Sequence, residues 1–171
     1  LWILFEAAAI LIIITVSLLI HEMGHAIAWI LQNKKARADI YMGSSSKENK
    51  LKLTIGRITF YLTISFSGFC RLSNPEELPP ITNKQRLISA AGGPIASLFG
   101  FVTLYFISHL ISGVLGIIIN RVAIISLMVF LTTAIPYTYP SFLRHLGGFQ
   151  SDGLKILNLL KEIRKHHKVA S

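Results

Sequence analysis

The chain has a single cysteine, Cys70, in 171 residues, which excludes an internal disulfide and any cysteine-rich metal site. Acidic residues are also scarce: eight Asp and Glu stand against seventeen Lys and Arg, giving a net charge of +9. Between Leu1 and Leu31 the only charged side chains are Glu6 and Glu22. That stretch is too long for a removed signal peptide, and no small-residue cleavage site follows it. The first residue is Leu, not Met, so the sequence reads as a trimmed piece of a longer one. The basic excess is not interleaved with aromatic residues on a soluble module, so it does not point to nucleic acid.

What the chain has in plenty is long apolar runs. Hydrophobic residues make up 52% of it and cluster in runs instead of short amphipathic periods, the pattern of a membrane protein. Spans are expected at about 3–31, 86–110 and 117–135. Sixteen of the seventeen Lys and Arg residues then fall in 32–86 and 136–171, leaving Arg121 alone on the other side. The positive-inside rule puts the N-terminus outside and the C-terminus in the cytoplasm, in a multi-pass protein of the cell membrane. Arg121 would snorkel to the outer interface, where Glu6 and His109 also lie.

Between the first two spans the period changes to two, over a β region at about 38–70. Leu51, Leu53 and Ile55 alternate with Lys50, Lys52 and Thr54; beyond Gly56, Ile58, Phe60, Leu62, Ile64 and Phe66 alternate with Arg57, Thr59, Tyr61, Thr63 and Ser65. This predicts two strands joined at Gly56, or one long bent strand. So small a sheet buries too little to fold alone and is expected against the membrane or the helices. It serves either as a lid or, through the segment around Thr63, as an edge that pairs with an extended substrate.

Asn74-Pro75 and Pro79-Pro80 mark the linker into the second span. That span carries Ala90-Ala91-Gly92-Gly93-Pro94, whose small residues admit a neighbouring helix and whose proline frees a backbone carbonyl. Pro136 ends the third span, and the chain is irregular to Gln150. Ser151-Asp152-Gly153 opens a last helix, in which Leu154, Leu157, Leu160 and Ile163 alternate with Lys155, Lys161, Arg164 and Lys165; it is read as an amphipathic helix on the cytoplasmic face. The expected architecture is therefore one membrane α-helical domain over residues 1–171, with three transmembrane helices, a small membrane-associated β-sheet after the first, and a C-terminal amphipathic helix.

Chemistry concentrates in His21-Glu22-Met23-Gly24-His25, an H-E-x-x-H pattern inside the first span. Histidines four residues apart share one helix face and can hold one metal ion, while Glu22 reaches the ion's water. Ionisable groups at membrane depth are expensive, so their grouping there points to function. A catalytic zinc takes three protein ligands and keeps a position for water, so one ligand must come from elsewhere. The candidates are Asp152, His109, His145, His166, His167 and the remaining acids. Topology removes His109 and Glu6, and the basic tail carries His166 and His167 into solvent. His145 stays open. Asp152 is better placed, because Gly153 permits close backbone approach and Ser151 can cap the helix in its stead. Its plain alternative role is that of a helix cap. With one Zn2+ in place, Glu22 would act as the general base and then return the proton to the leaving nitrogen. A membrane metal-ion carrier, or a metal-bound non-catalytic scaffold, would use the same ligands. A carrier gains nothing from Glu22 and would want polar residues along several spans, which are scarce.

Taken in order, H-E-x-x-H in a first span, Gly93, Pro94 and Ser97 in a second, and Asp152-Gly153 after a third resemble the site-2 protease family of intramembrane zinc metallopeptidases. The alternating segment ending in Ser67-Gly68-Phe69 is similar to that family's membrane-associated β region. The resemblance implies cleavage of a transmembrane or membrane-bound segment of a protein or peptide substrate. It implies His21, His25 and Asp152 as zinc ligands, Glu22 as catalytic base, and substrate handling by Gly93, Pro94 and Ser97; Thr63 joins the substrate residues from the reading of the alternating segment as an edge. Ser97 stands where many members have Asn, and Thr133 where they have the Asn of an N-x-x-P motif. About fifteen residues separate Pro136 from Asp152, more than the short family spacing. With no PDZ-type domain, the chain looks like a minimal core.

Overall fold

The computed structural model describes residues 2–141 and 147–170, with side chains through Lys165. Its apolar runs form three helices, α1 (Trp2–Gln32), α2 (Asn83–Leu110) and α3 (Gly113–Ala134), each long and apolar enough to cross a membrane. They match the expected spans, with α2 and α3 starting three or four residues early. For α2 the reason is a capping box: Thr82 Oγ1 accepts from the Gln85 N–H, and the Gln85 side chain accepts from the Thr82 N–H. The helix continues through Pro94. A short turn at Ser112, with Gly113 at φ 78°, leads into α3.

Small residues let α1 and α2 nearly touch. A Cβ built on Gly24 would lie 2.5 Å from the Ala96 Cβ, and one built on Gly92 would lie 2.9 Å from the Ala28 Cβ. Lipid tails are as apolar as leucine, so close packing of this kind, more than water exclusion, holds membrane helices together.

Four strands follow α1: β1 (Ala38–Met42), β2 (Leu51–Ile55), β3 (Ile58–Leu62) and β4 (Gly68–Leu72), in spatial order β2-β3-β1-β4. β2 and β3 form the expected hairpin, with Ile55 opposite Ile58 and Gly56 at φ 57°. β1 pairs parallel with β3 and antiparallel with β4. Ala38, Ile40, Met42, Ile58 and Phe60 bury one face of the sheet against Ala26 and its neighbours on α1. On the other face the Tyr41 ring is stacked between Tyr61 and Phe69, at centroid distances of 4.6 and 4.9 Å. β1 is therefore buried along its whole length.

Two sequence expectations change. The β region holds four strands, not one or two. The segment 57–66 is not a free edge either: its strand ends at Leu62 and is bonded on both sides, by β2 and by β1. The outer positions belong to β2 and β4. Thr63, expected on a substrate-pairing edge, lies exposed just past β3.

Hydrogen bonds set the sheet alongside α1. At one end, Arg57 Nη1 donates to the carbonyls of Asn33, Lys34 and Ala36 at 2.8, 3.0 and 3.3 Å, where α1 has just ended. At the other, the Ser65 N–H donates to Thr15 Oγ1, and the Thr15 hydroxyl lies 3.0 Å from the Ser65 carbonyl. Thr15 is more than four turns before the end of α1, about 25 Å at 1.5 Å per residue. The loop after β3 thus reaches well down the membrane-spanning helix, and its exposed Ile64 and Phe66 suit lipid at that depth. Buried Asn74 ties the two linkers together: its Oδ1 accepts from the Arg37 N–H and its Nδ2 donates to the Lys35 carbonyl.

The last helix, α4 (Asp152–Ala170), packs on α2 and α3. Arg121 is not a lone snorkelling residue; its Nη1 lies 3.6 Å from Glu6 Oε2, linking α3 to α1. The end of α1, the start of α2, the linkers and α4 share one side of the helices and carry most of the basic residues. In a Cys70→Ser background, a cysteine at Ser112 should react with an impermeant reagent applied from outside, and one at Ser45 should not. The opposite labelling pattern would invert the topology.

Candidate metal centre

One turn of α1 carries His21 and His25 on the same face, seven and eleven residues before the helix ends, about 10–16 Å along its axis. Asp152 is the first residue of α4. The structure brings the three together: His21 Nε2 lies 3.1 Å from Asp152 Oδ2, His25 Nε2 lies 3.2 Å from the same oxygen, and the two Nε2 atoms are 3.2 Å apart. His21 and Asp152 are buried, and His25 is partly so. Among the described residues no other cluster of three His, Cys, Asp or Glu side chains has this geometry.

The outer nitrogens of the imidazoles decide what the inner ones can do. His25 Nδ1 lies 2.7 Å from the Ser89 carbonyl and 3.3 Å from the Gly93 N–H; the shorter contact, to an acceptor without a proton, assigns the hydrogen to Nδ1, which donates to Ser89. A neutral His25 then points the lone pair of Nε2 at the centre. His21 Nδ1 sits 2.9 Å from Ser97 Oγ, which can accept in the same way. With the Asp152 carboxylate, three lone-pair atoms converge at 3.1–3.2 Å. Ligands about 2.0–2.1 Å from a tetrahedral zinc stand about 3.3 Å from one another, so this donor set fits zinc in type and in spacing. Orienting contacts to the outer nitrogens are the usual support of such ligands.

Two glycines make the convergence possible. A side chain on Gly93 would collide with both imidazoles, since its Cβ would lie 2.6 Å from His25 Cε1 and 2.7 Å from His21 Cε1. One on Gly153 would strike the end of α3, 2.6 Å from the carbonyl carbon of Ala134. The last helix can therefore start close against α3, with Asp152 under the histidines.

Ser151 does the capping. Its Oγ accepts from the Leu154 N–H at 3.2 Å and from the Tyr137 N–H at 3.1 Å, and donates to the Ile135 carbonyl at 2.7 Å. Asp152 is thereby free of the cap role, with Oδ2 toward the histidines and Oδ1 accepting from Lys155 Nζ at 3.0 Å. Burial alone would raise the Asp152 carboxyl, but with no cation present and the imidazoles donating from Nε2, their hydrogen bonds together with Lys155 outweigh burial and hold it well below the usual carboxylate range.

Glu22, also buried, lines an open cavity of about 1070 Å³ together with His21, His25 and Asp152. The opposite wall is β4: Gly68, Phe69 and Cys70 face the same space, and a Cβ on Gly68 would come 3.1 Å from Glu22 Cγ. Burial pushes the Cys70 thiol above its ordinary range, in keeping with an inert thiol. Thr133 also lines the cavity, with its hydroxyl bonded 2.8 Å to the Val129 carbonyl of its own helix.

The residues expected to handle substrate lie elsewhere. Gly93, Pro94 and Ser97 are buried between α2 and the histidines and do not line the cavity; nor does Thr63. Ser97, read as a substrate residue, is the hydrogen-bond partner of His21. Ser89 was missed, because it acts through its backbone carbonyl, which no side-chain pattern reveals. His109 bonds to the Tyr105 carbonyl near the far end of α2. His145 lies outside the described residues, as do the side chains of His166 and His167.

Three apolar helices around a candidate metal site fit a membrane metallopeptidase of the site-2 protease type, the class that the family match supports. The chain belongs to peptidase family M50, the site-2 protease family, whose family model matches residues 9–169, nearly the whole chain. No curated protein matches it.

Replacing Asp152 by Ala should reduce the zinc content of the purified protein to a small fraction of wild type. Ser151→Ala, which removes a cap worth about 1 kcal/mol, should keep the metal and lower only thermal stability. Metal analysis of the two variants side by side checks this; full zinc in Asp152→Ala would reject Asp152 as a ligand.

Proposed function

We propose that this chain is a zinc-dependent intramembrane endopeptidase that cleaves a transmembrane or membrane-bound segment of a protein or peptide substrate, with its site toward the cytoplasmic side of the cell membrane. The observation that carries this reading is the position of Glu22. It is adjacent to His21 on α1, outside the ligand set, and on the wall of the cavity that the three ligand side chains share. A metal carrier needs the ligands but not a carboxylate beside them.

In this reading His21 Nε2, His25 Nε2 and Asp152 Oδ2 hold one zinc ion, with the imidazoles oriented by Ser97 and Ser89. Bound there, zinc supplies Lewis-acid polarisation of the scissile carbonyl and lowers the pKa of water toward about 7. Glu22 takes the proton from the attacking water and delivers it to the leaving nitrogen. Glu22 is itself buried on the wall of an open cavity, so water has a path to it.

A helical substrate hides its peptide bonds, so the scissile segment must be extended. The outer edge of β4 supports that step, replacing the segment around Thr63. β4 bonds to β1 on one side, and its first three residues line the cavity beside Glu22. Unpaired backbone groups at membrane depth cost several kcal/mol each, which favours a strand added along such an edge. Substrate side chains contribute little to backbone pairing, so recognition by this edge is tolerant of sequence.

Co-expression with candidate membrane substrates tests the reading. Wild type should produce cleavage, and Glu22→Gln should abolish it while retaining zinc, because Glu22 handles protons and is not a ligand. Equal cleavage by both would end the protease reading, and loss of zinc from Glu22→Gln would make Glu22 a ligand.

A further inference from the structure

The mechanism above gives Asp152 one task, yet a carboxylate has two oxygens and can occupy two positions on a metal ion. If both bound, the position needed for water would be filled. In this structure the two oxygens are separated by their partners. Oδ2 faces both imidazole Nε2 atoms, while Oδ1 lies 3.0 Å from Lys155 Nζ, one turn along α4. Asp152 is buried, and Lys155, which lines the cavity, is about half exposed.

We propose that Lys155 is a positioning residue for the metal centre: by holding Oδ1 it fixes the carboxylate rotamer and leaves Oδ2 as the single oxygen offered to zinc. The inference rests on the zinc reading and adds a residue that the H-E-x-x-H and Asp-Gly patterns do not contain. The i, i+3 spacing fits a helix that begins at the ligand itself. Asp152, with no preceding helical turn, can be held from the same helix only by residues that follow it, and Lys155 and its neighbour are the first to share its face. Held this way, the carboxylate has a partner on each oxygen, which a buried anion requires. Lys155 does not touch the reacting atoms in this account. Its effect runs through Asp152.

The test is zinc affinity of the full chain in detergent, measured by competition with a chromogenic chelator, with cobalt substituted for zinc in a parallel sample. Loss of an outer contact to a metal ligand typically weakens metal binding by about 10- to 100-fold, and Lys155→Met should fall in that range. Its cobalt form should lose the intense visible absorption of four-coordinate cobalt as the second carboxylate oxygen enters. Lys155→Arg, which keeps a donor within reach of Oδ1, should stay within about threefold of wild type. Lys161→Met, on the exposed part of the same helix, should leave affinity and spectrum unchanged. Wild-type affinity together with a wild-type cobalt spectrum in Lys155→Met would overturn the role of Lys155 alone. A wild-type protein that takes up no zinc would overturn the metal centre and this inference with it.

Discussion

Three lone-pair atoms, His21 Nε2, His25 Nε2 and Asp152 Oδ2, are held 3.1–3.2 Å apart among apolar helices, and the rest of the molecule is arranged to keep them there. Gly24 and Gly92 bring α2 against α1; Gly93 leaves room for the imidazoles; the Ser89 carbonyl and the Ser97 hydroxyl fix their outer nitrogens. Gly153 and Ser151 anchor the start of α4 to the end of α3, which delivers Asp152. Without a cation the histidines are held to the Asp152 carboxylate by hydrogen bonds and ion pairing; with one at the centre, the same three groups would form a three-ligand set.

The sheet solves a different difficulty. Backbone hydrogen-bonding groups lying beside a membrane helix must be paired, and strands meet that need only where they have neighbours. β1 and β3 are paired on both sides, the turn end is bound by Arg57, and the loop after β3 is bound by Thr15. β4 is paired on one side only, and that strand is the one beside Glu22. β4 therefore presents an unpaired edge next to this cavity, the edge proposed above to receive an extended substrate.

Legibility in the sequence followed the range of the interactions. The three spans were readable because each is a continuous apolar run, and His21, Glu22 and His25 because helix geometry alone puts them together. The cap at Ser151 and the close approach at Gly153 were readable from two adjacent residues, and through them Asp152. Strand order was not. β1 is buried on both faces, so its burial has no period of two, and nothing local says that it slips between β3 and β4. The segment around Thr63 therefore reads as a free edge, although the outer strands are β2 and β4. Ser97 reads as a substrate residue from its place in the family pattern; that its hydroxyl bonds across 76 positions to His21 is invisible in the sequence. The Ser89 carbonyl and the Glu6–Arg121 pair likewise join residues far apart in the chain.

The central claim concerns which atoms surround one zinc ion, so its most direct test is X-ray absorption at the zinc edge on purified wild-type protein. The account predicts a first shell of nitrogen and oxygen at about 2.0–2.1 Å, with multiple scattering from two imidazoles and no sulfur. Sulfur at about 2.3 Å, which only Cys70 or an intruding thiol could supply, or a shell with fewer than two imidazoles, would contradict it.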